Sequence, residues 1–220
     1  MTISTRLPRQ FGCVLATGVL AVVPALADNA QSGTSRGGDN SIAIFAGQAT
    51  DTNFTESMFL PLTNDMQDIG VIAVSFNHRH GELADYFGNF LPFDWAHDIT
   101  IESEVGASYR FGDEDLGEAW IAAYLRYDNF FWNDAVYTTL AVNTGLSMLT
   151  EISGFERGRD ADGEASKLLH YMGPEFTFAS PDNKDLELLL RFHHRSGVFG
   201  LFDGTVSGST FISTGLRLRF

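Results

Sequence analysis

From residue 41 onward, apolar and polar positions alternate with a period of two, which is the signature of strands with two chemically different faces. Eight segments carry the pattern: 41–49, 68–77, 98–111, 117–127, 136–148, 167–179, 185–196 and 209–220. Turn chemistry separates them, as at Gly112-Asp113-Glu114, Pro181-Asp182-Asn183 and Phe202-Asp203-Gly204. Each segment is close to the roughly 9 to 11 residues that cross a bilayer as a tilted strand. The even number predicts an all-β fold, an eight-stranded antiparallel transmembrane β-barrel spanning 41–220.

Alternation also describes a soluble sandwich, so the faces matter more than the strand count. In the last segment Ile212, Thr214, Leu216, Leu218 and Phe220 share one face, and Arg217 and Arg219 the other. The third puts Ile99, Ile101, Val105, Ala107, Tyr109 and Phe111 opposite Glu102, Glu104 and Arg110. Glu118 and Arg126, then Glu175, then Glu187 and Arg191 mark the polar faces of the fourth, sixth and seventh. Turned inward, these acids and arginines pair across a narrow lumen while the apolar faces meet lipid. Turned outward, they would coat a soluble sandwich.

The first residues fix the compartment. Arg6 and Arg9 precede an uncharged run from Phe11 to Leu26 that closes on Ala25-Leu26-Ala27, the pattern of a cleaved signal peptide over 1–27. The run is too short for a spanning helix. It also holds the only cysteine, Cys13, so the mature chain has no disulfide or thiol site. Residues 28–40, rich in Gly, Ser and Asn, read as a flexible leader. The net charge of −14 becomes −16 once Arg6 and Arg9 leave, which argues against nucleic acid as a partner. The 22 glycines and 19 phenylalanines favour strands over helices.

A terminal strand closing on Phe220 resembles the signal by which assembly machinery recognises outer-membrane barrels. Phe130-Phe131-Trp132 and the stretch from Phe90 to Trp95 read as membrane-interface aromatics. One segment fits badly. With both termini in the periplasm, connections after even strands should be short, yet 78–97 is long. It hides a strand, or the region from Gly81 to Phe87 forms a short helix below the barrel.

The candidate chemistry lies in Leu188-Leu189-Leu190-Arg191-Phe192-His193-His194-Arg195-Ser196-Gly197. On a strand His194 and Ser196 share the face that bears Leu186, Leu188, Leu190 and Phe192 and so look toward lipid. Unpaired polar groups there cost roughly a few kcal/mol. The seventh strand runs outward, placing both near the outer leaflet.

At this point the chain resembles the outer-membrane lipid A 3-O-deacylases, whose H-x-S element lies on the penultimate strand of an eight-stranded barrel. The likeness covers the strand of His194 and Ser196, the strand to Phe220 and, more loosely, Tyr124 to Tyr127 through Gly145 to Ser147. It implies an outer-membrane protein acting on lipopolysaccharide without metal or cofactor. Ser196 would be the nucleophile and His194 the base that takes its proton. Two positions depart from the family pattern. Gly197 stands where the family has an asparagine, and no glutamate follows Glu187, which leaves Asp203 as the acid able to orient His194.

Three further features have weaker chemistry. His78 and His80 have strand-alternate spacing but no third metal ligand nearby, and Asp160-Ala161-Asp162-Gly163-Glu164 is an incomplete calcium loop. Both read as solvated loops. His193 and Arg195 fall with Arg191 and Glu187 on the lumen face. The leading expectation is therefore an outer-membrane esterase that removes an ester-linked acyl chain from lipid A. The alternatives are a non-catalytic structural or surface-interaction barrel acting through acidic loops at 50–66 and 149–166, and a soluble periplasmic ligand-binding sandwich.

Overall fold

The computed structural model describes residues 38–52, 54–59, 65–88, 90, 94–160 and 162–220. The signal peptide expected over 1–27 and most of the expected leader lie outside the described residues. Eight strands follow in order: β1 Asn40–Thr50, β2 Met66–Glu82, β3 Ile99–Gly112, β4 Leu116–Tyr127, β5 Tyr137–Leu149, β6 Leu168–Ser180, β7 Asn183–Ser196 and β8 Gly208–Arg219. Each pairs antiparallel with the next, and β8 returns to β1 in a register running from Ser41 opposite Arg219 to Thr50 opposite Thr210. The sheet closes on itself and has no free edge.

Which residues face inward follows from the alternation. The lumen holds Arg110, Arg126, Arg191, Arg195, Arg217 and Arg219 with Glu102, Glu104, Glu118, Glu156, Glu175 and Glu187, none more than 4% exposed. Charges so placed are tolerable only when paired and hydrogen-bonded, because the desolvation cost is several kcal/mol per ion. They are. Glu175 accepts from Arg126 Nη2 at 2.7 Å, from Arg217 Nη1 at 2.6 Å and from Arg191. Arg191 also reaches Glu104 at 2.7 Å, and Arg219 reaches Glu187 at 2.7 Å. Between the charged layers lie Phe45, Trp120, Tyr124 and Tyr171, with Trp120 Nε1 and the Tyr124 hydroxyl donating to Glu104 at 2.6 and 2.8 Å. Side chains fill the lumen, as the diameter of eight strands requires.

The outer surface is the reverse. Ile44, Ile72, Val105, Ile121, Val142 and Leu188 are all exposed, residues a soluble domain would bury. A polar core inside an apolar skin on a single closed sheet is a transmembrane barrel, and it replaces the soluble sandwich. At one end are Asn40, Phe220 and the connections 83–98, 128–136 and 181–182; at the other are 51–65, 113–115, 150–167 and 197–207. The first is called the terminal end and the second the distal end.

The long connection after β2 resolves toward a short helix. β2 runs on to Glu82, past an irregularity between Arg79 and Gly81, so His78 and His80 lie on a strand rather than in a loop. His78 Nδ1 is 3.0 Å from Asn40 Oδ1 and His80 Nε2 is 2.9 Å from Ser103 Oγ. A short helix follows at Leu83–Phe87 and a 3-10 turn at Asp94–Asp98. Two other short helices sit at the distal end, α1 at Phe54–Phe59 and α3 at Gly154–Arg159; the terminal-end helix is α2.

Candidate functional site

The sequence-derived site falls at the distal end of β5 to β8, on the outer surface. His194 and Ser196 share the outer face of β7 with exposed Leu188, as the alternation predicts. Strand pairing sets His194 opposite Thr210 of β8 and Ser196 opposite His170 of β6. Cross-strand neighbours have Cβ atoms roughly 4.5 to 5.5 Å apart, so His170 belongs to the site as closely as His194 does. Sequence reasoning missed it, because its relation to Ser196 exists only once the β6 to β7 register is known.

The side chains are engaged separately. His194 Nδ1 lies 2.9 Å from Thr210 Oγ1, and its ring stacks on Phe54 of α1 at 4.4 Å and 22°. It is half-buried rather than open to lipid, since the β1 to β2 connection, expected only as an acidic loop, brings Phe54 against it. Ser196 Oγ accepts the N–H of Val198 at 3.2 Å. Among the described residues no hydrogen bond joins His194 to Ser196. Asp203, with φ 49°, accepts Ser166 Oγ at 2.8 Å and has no hydrogen bond to His194. His170 Nε2 is 2.8 Å from Thr144 Oγ1 of β5, and its Nδ1 has no partner among the described residues.

Behind this patch, on the lumen face of the same strand, His193 and Arg195 enter the charge network as expected. His193 Nε2 is 2.8 Å from Glu118 Oε1, which also accepts Ser147 Oγ at 2.6 Å. Arg195 donates to both oxygens of Glu156 at 3.0 and 3.2 Å, and Arg110 reaches the same carboxylate at 3.3 Å.

Glu156 comes from α3, which closes the distal mouth. Ser153 caps the helix by accepting the Glu156 N–H at 3.0 Å, and the Glu156 side chain drops into the lumen. Every other distal connection is tied to this one. Ser153 Oγ and Phe155 N–H donate to Glu114 at 2.5 and 3.1 Å, and Arg159 donates to Asp51 at 2.7 Å. Asp160 Oδ2 accepts the N–H groups of Val206 and Ser207 at 2.8 and 3.1 Å, while its Oδ1 accepts those of Asp162 and Glu164. These amide donors, Val206 first and then Ser207, hold the Asp160 carboxyl at a pKa of about 2. The stretch that resembled an incomplete calcium loop is thus an anchor between loops. Among the described residues no group of three His, Cys, Asp or Glu side chains is placed to hold a metal.

No family model matches the chain. The endoribonuclease YbeY of Agathobacter rectalis is 31% identical over 86 residues, which is 39% of this chain and 52% of that protein. The chain therefore spans about half the length of the curated relative it matches. Among solved structures, Neisserial surface protein A is 14% identical with a TM-score of 0.46, over 84% of this chain and 100% of that one. The outer membrane protein Ail of Yersinia pestis in a phospholipid nanodisc is 13% identical with a TM-score of 0.38, over 81% and 99%. The closed barrel stands on its own strand register.

Proposed function

We propose that this chain is an outer-membrane barrel that acts by surface interaction, through its distal connections, with no chemistry at Ser196. The apolar skin suits a bilayer, and the signal-peptide pattern supports the outer membrane. In that setting the terminal end is periplasmic and the distal end extracellular. β8 closes at the periplasmic end, where Phe220 N–H donates to Asn40 O at 2.9 Å; this is the strand on which assembly machinery would act. The observation that carries the reading is the α3 anchor. Exposed loops are ordinarily the least ordered parts of a barrel, yet here the described parts of four connections are cross-tied, a device suited to presenting a fixed shape. The three residues expected to form a triad each have other partners. A fluorophosphonate probe is the test: no label at Ser196 is expected, and label lost in Ser196→Ala would overturn the reading.

A second reading is favoured by one observation. Two histidines and a serine sit on the outer surface where a lipid acyl ester would lie, and His170 faces Ser196 directly. Lipid A ester hydrolysis would then use Ser196 Oγ as nucleophile and a histidine as the base, with lipopolysaccharide as substrate. Loss of activity in both Ser196→Ala and His170→Ala, with His194→Ala less affected, would identify this arrangement.

A further inference from the structure

The long connection after β2 has no role in the surface function just described, and its side chains have an unusual distribution. α2 buries none of its residues. Tyr86 and Phe87 on it are exposed, as are Phe90 and Trp95 after it. The neighbouring β4 to β5 connection adds Phe131, at 92% the more exposed, and Trp132. The two connections are joined: Asn129 Nδ2 donates to Asp98 Oδ1 at 3.0 Å and Asp128 N–H to Asp98 O at 3.3 Å.

Several polar groups of this region have partners within it while its rings are not covered. Tyr86 donates to His80 O at 3.1 Å, and Trp132 Nε1 donates to Thr138 Oγ1 at 3.0 Å. Glu82 N–H donates to Asp85 at 2.9 Å, Glu82 pairs with His97 at 3.2 Å, and Asp128 accepts Tyr137 at 3.1 Å. A loop facing water has the opposite arrangement. The rings of the β4 to β5 connection also continue the lipid-facing skin from the end of β4. Tyr127, the last residue of β4, meets Phe130 edge-on at 5.0 Å; Phe130 stacks on Trp132 at 4.8 Å, and Phe131 packs on Trp132 at 4.5 Å. The β6 to β7 turn, Pro181-Asp182, has no aromatic residue.

We infer that α2, the 3-10 turn and the β4 to β5 connection form a one-sided foot seated in the headgroup region of the periplasmic leaflet, its partner a zwitterionic phospholipid surface. Aromatic rings with one satisfied polar end are at home at that depth, and Asp85, Asp98 and Asp128, already held by protein donors, lower the cost of placing carboxylates there. The connection is long because it is an anchor rather than a turn.

The three tryptophans make the test internal, since Trp95 and Trp132 are on the foot and Trp120 is buried in the lumen at 3% exposure. The full chain, Trp95→Phe, Trp132→Phe and the double variant are folded into phosphatidylcholine vesicles with or without bromine on the acyl chains near the headgroup. Far-UV circular dichroism and heat-modifiable gel mobility establish that each is folded. Bromolipid should quench the parent, quench each single variant less, and leave the double variant unchanged. Iodide on both sides of the bilayer should have little effect throughout. Quenching of Trp95 or Trp132 by iodide and not by bromolipid would overturn the inference and turn the foot into a surface for a periplasmic partner.

Discussion

The two faces of β7 carry neighbouring residues to opposite fates. On the inner face Arg191, His193 and Arg195 are buried, and each is held by glutamates from other strands or from α3. On the outer face His194 and Ser196, one residue away from those, meet neutral neighbours, Thr210 Oγ1 for His194 and the Val198 N–H for Ser196. The inner residues are tied into the charge network that crosses the lumen; the outer two are not. Residues that look equally chemical in the sequence therefore differ in what they are for, and the strand period decides which is which.

The sharpest break of that contrast is at Glu175, where Arg126, Arg191 and Arg217 converge. Glu175→Gln leaves buried guanidinium charge uncompensated and should destabilise the barrel by about 3 to 5 kcal/mol, read from urea unfolding in vesicles. Glu156→Gln acts at the mouth, on the contacts to Arg110 and Arg195, and should cost about 1.5 to 3 kcal/mol. Its clearer sign is faster protease cleavage within 150–167. The Asp160 anchor predicts a pH effect. Its folded pKa lies below the ordinary carboxyl value, so the anchor is fully present above about pH 4 and is lost as pH falls toward 2. Amide exchange at Val206 and Ser207, corrected for intrinsic rate, should accelerate over that window in the parent and be fast at all pH in Asp160→Ala.

Much of the barrel was legible in the sequence because the lumen is polar and the skin apolar, which gives alternation its full amplitude. Ile212 to Phe220 against Arg217 and Arg219 is the clearest case. β2 was read too short because beyond Phe76 it leaves the apolar zone, and Asn77, His78, Arg79 and His80 carry no alternation to follow. α3 was missed for a different reason: six residues are less than two turns, too few for a helical period to show. Glu156 therefore looked like one more loop acid. His194 and Ser196 were correctly placed on one outer face by spacing alone. Their neighbours Thr210, Phe54 and His170 come from other strands and connections, and no spacing along one chain segment encodes them.

The smallest effect expected is at Ser196, and it bears most directly on the central claim. Mass spectrometry of lipid A from cells expressing the parent chain or Ser196→Ala, with both proteins recovered in the outer membrane, should give identical acylation patterns. Loss of an ester-linked acyl chain with the parent only would contradict the account and make the outer face of β7 an active site.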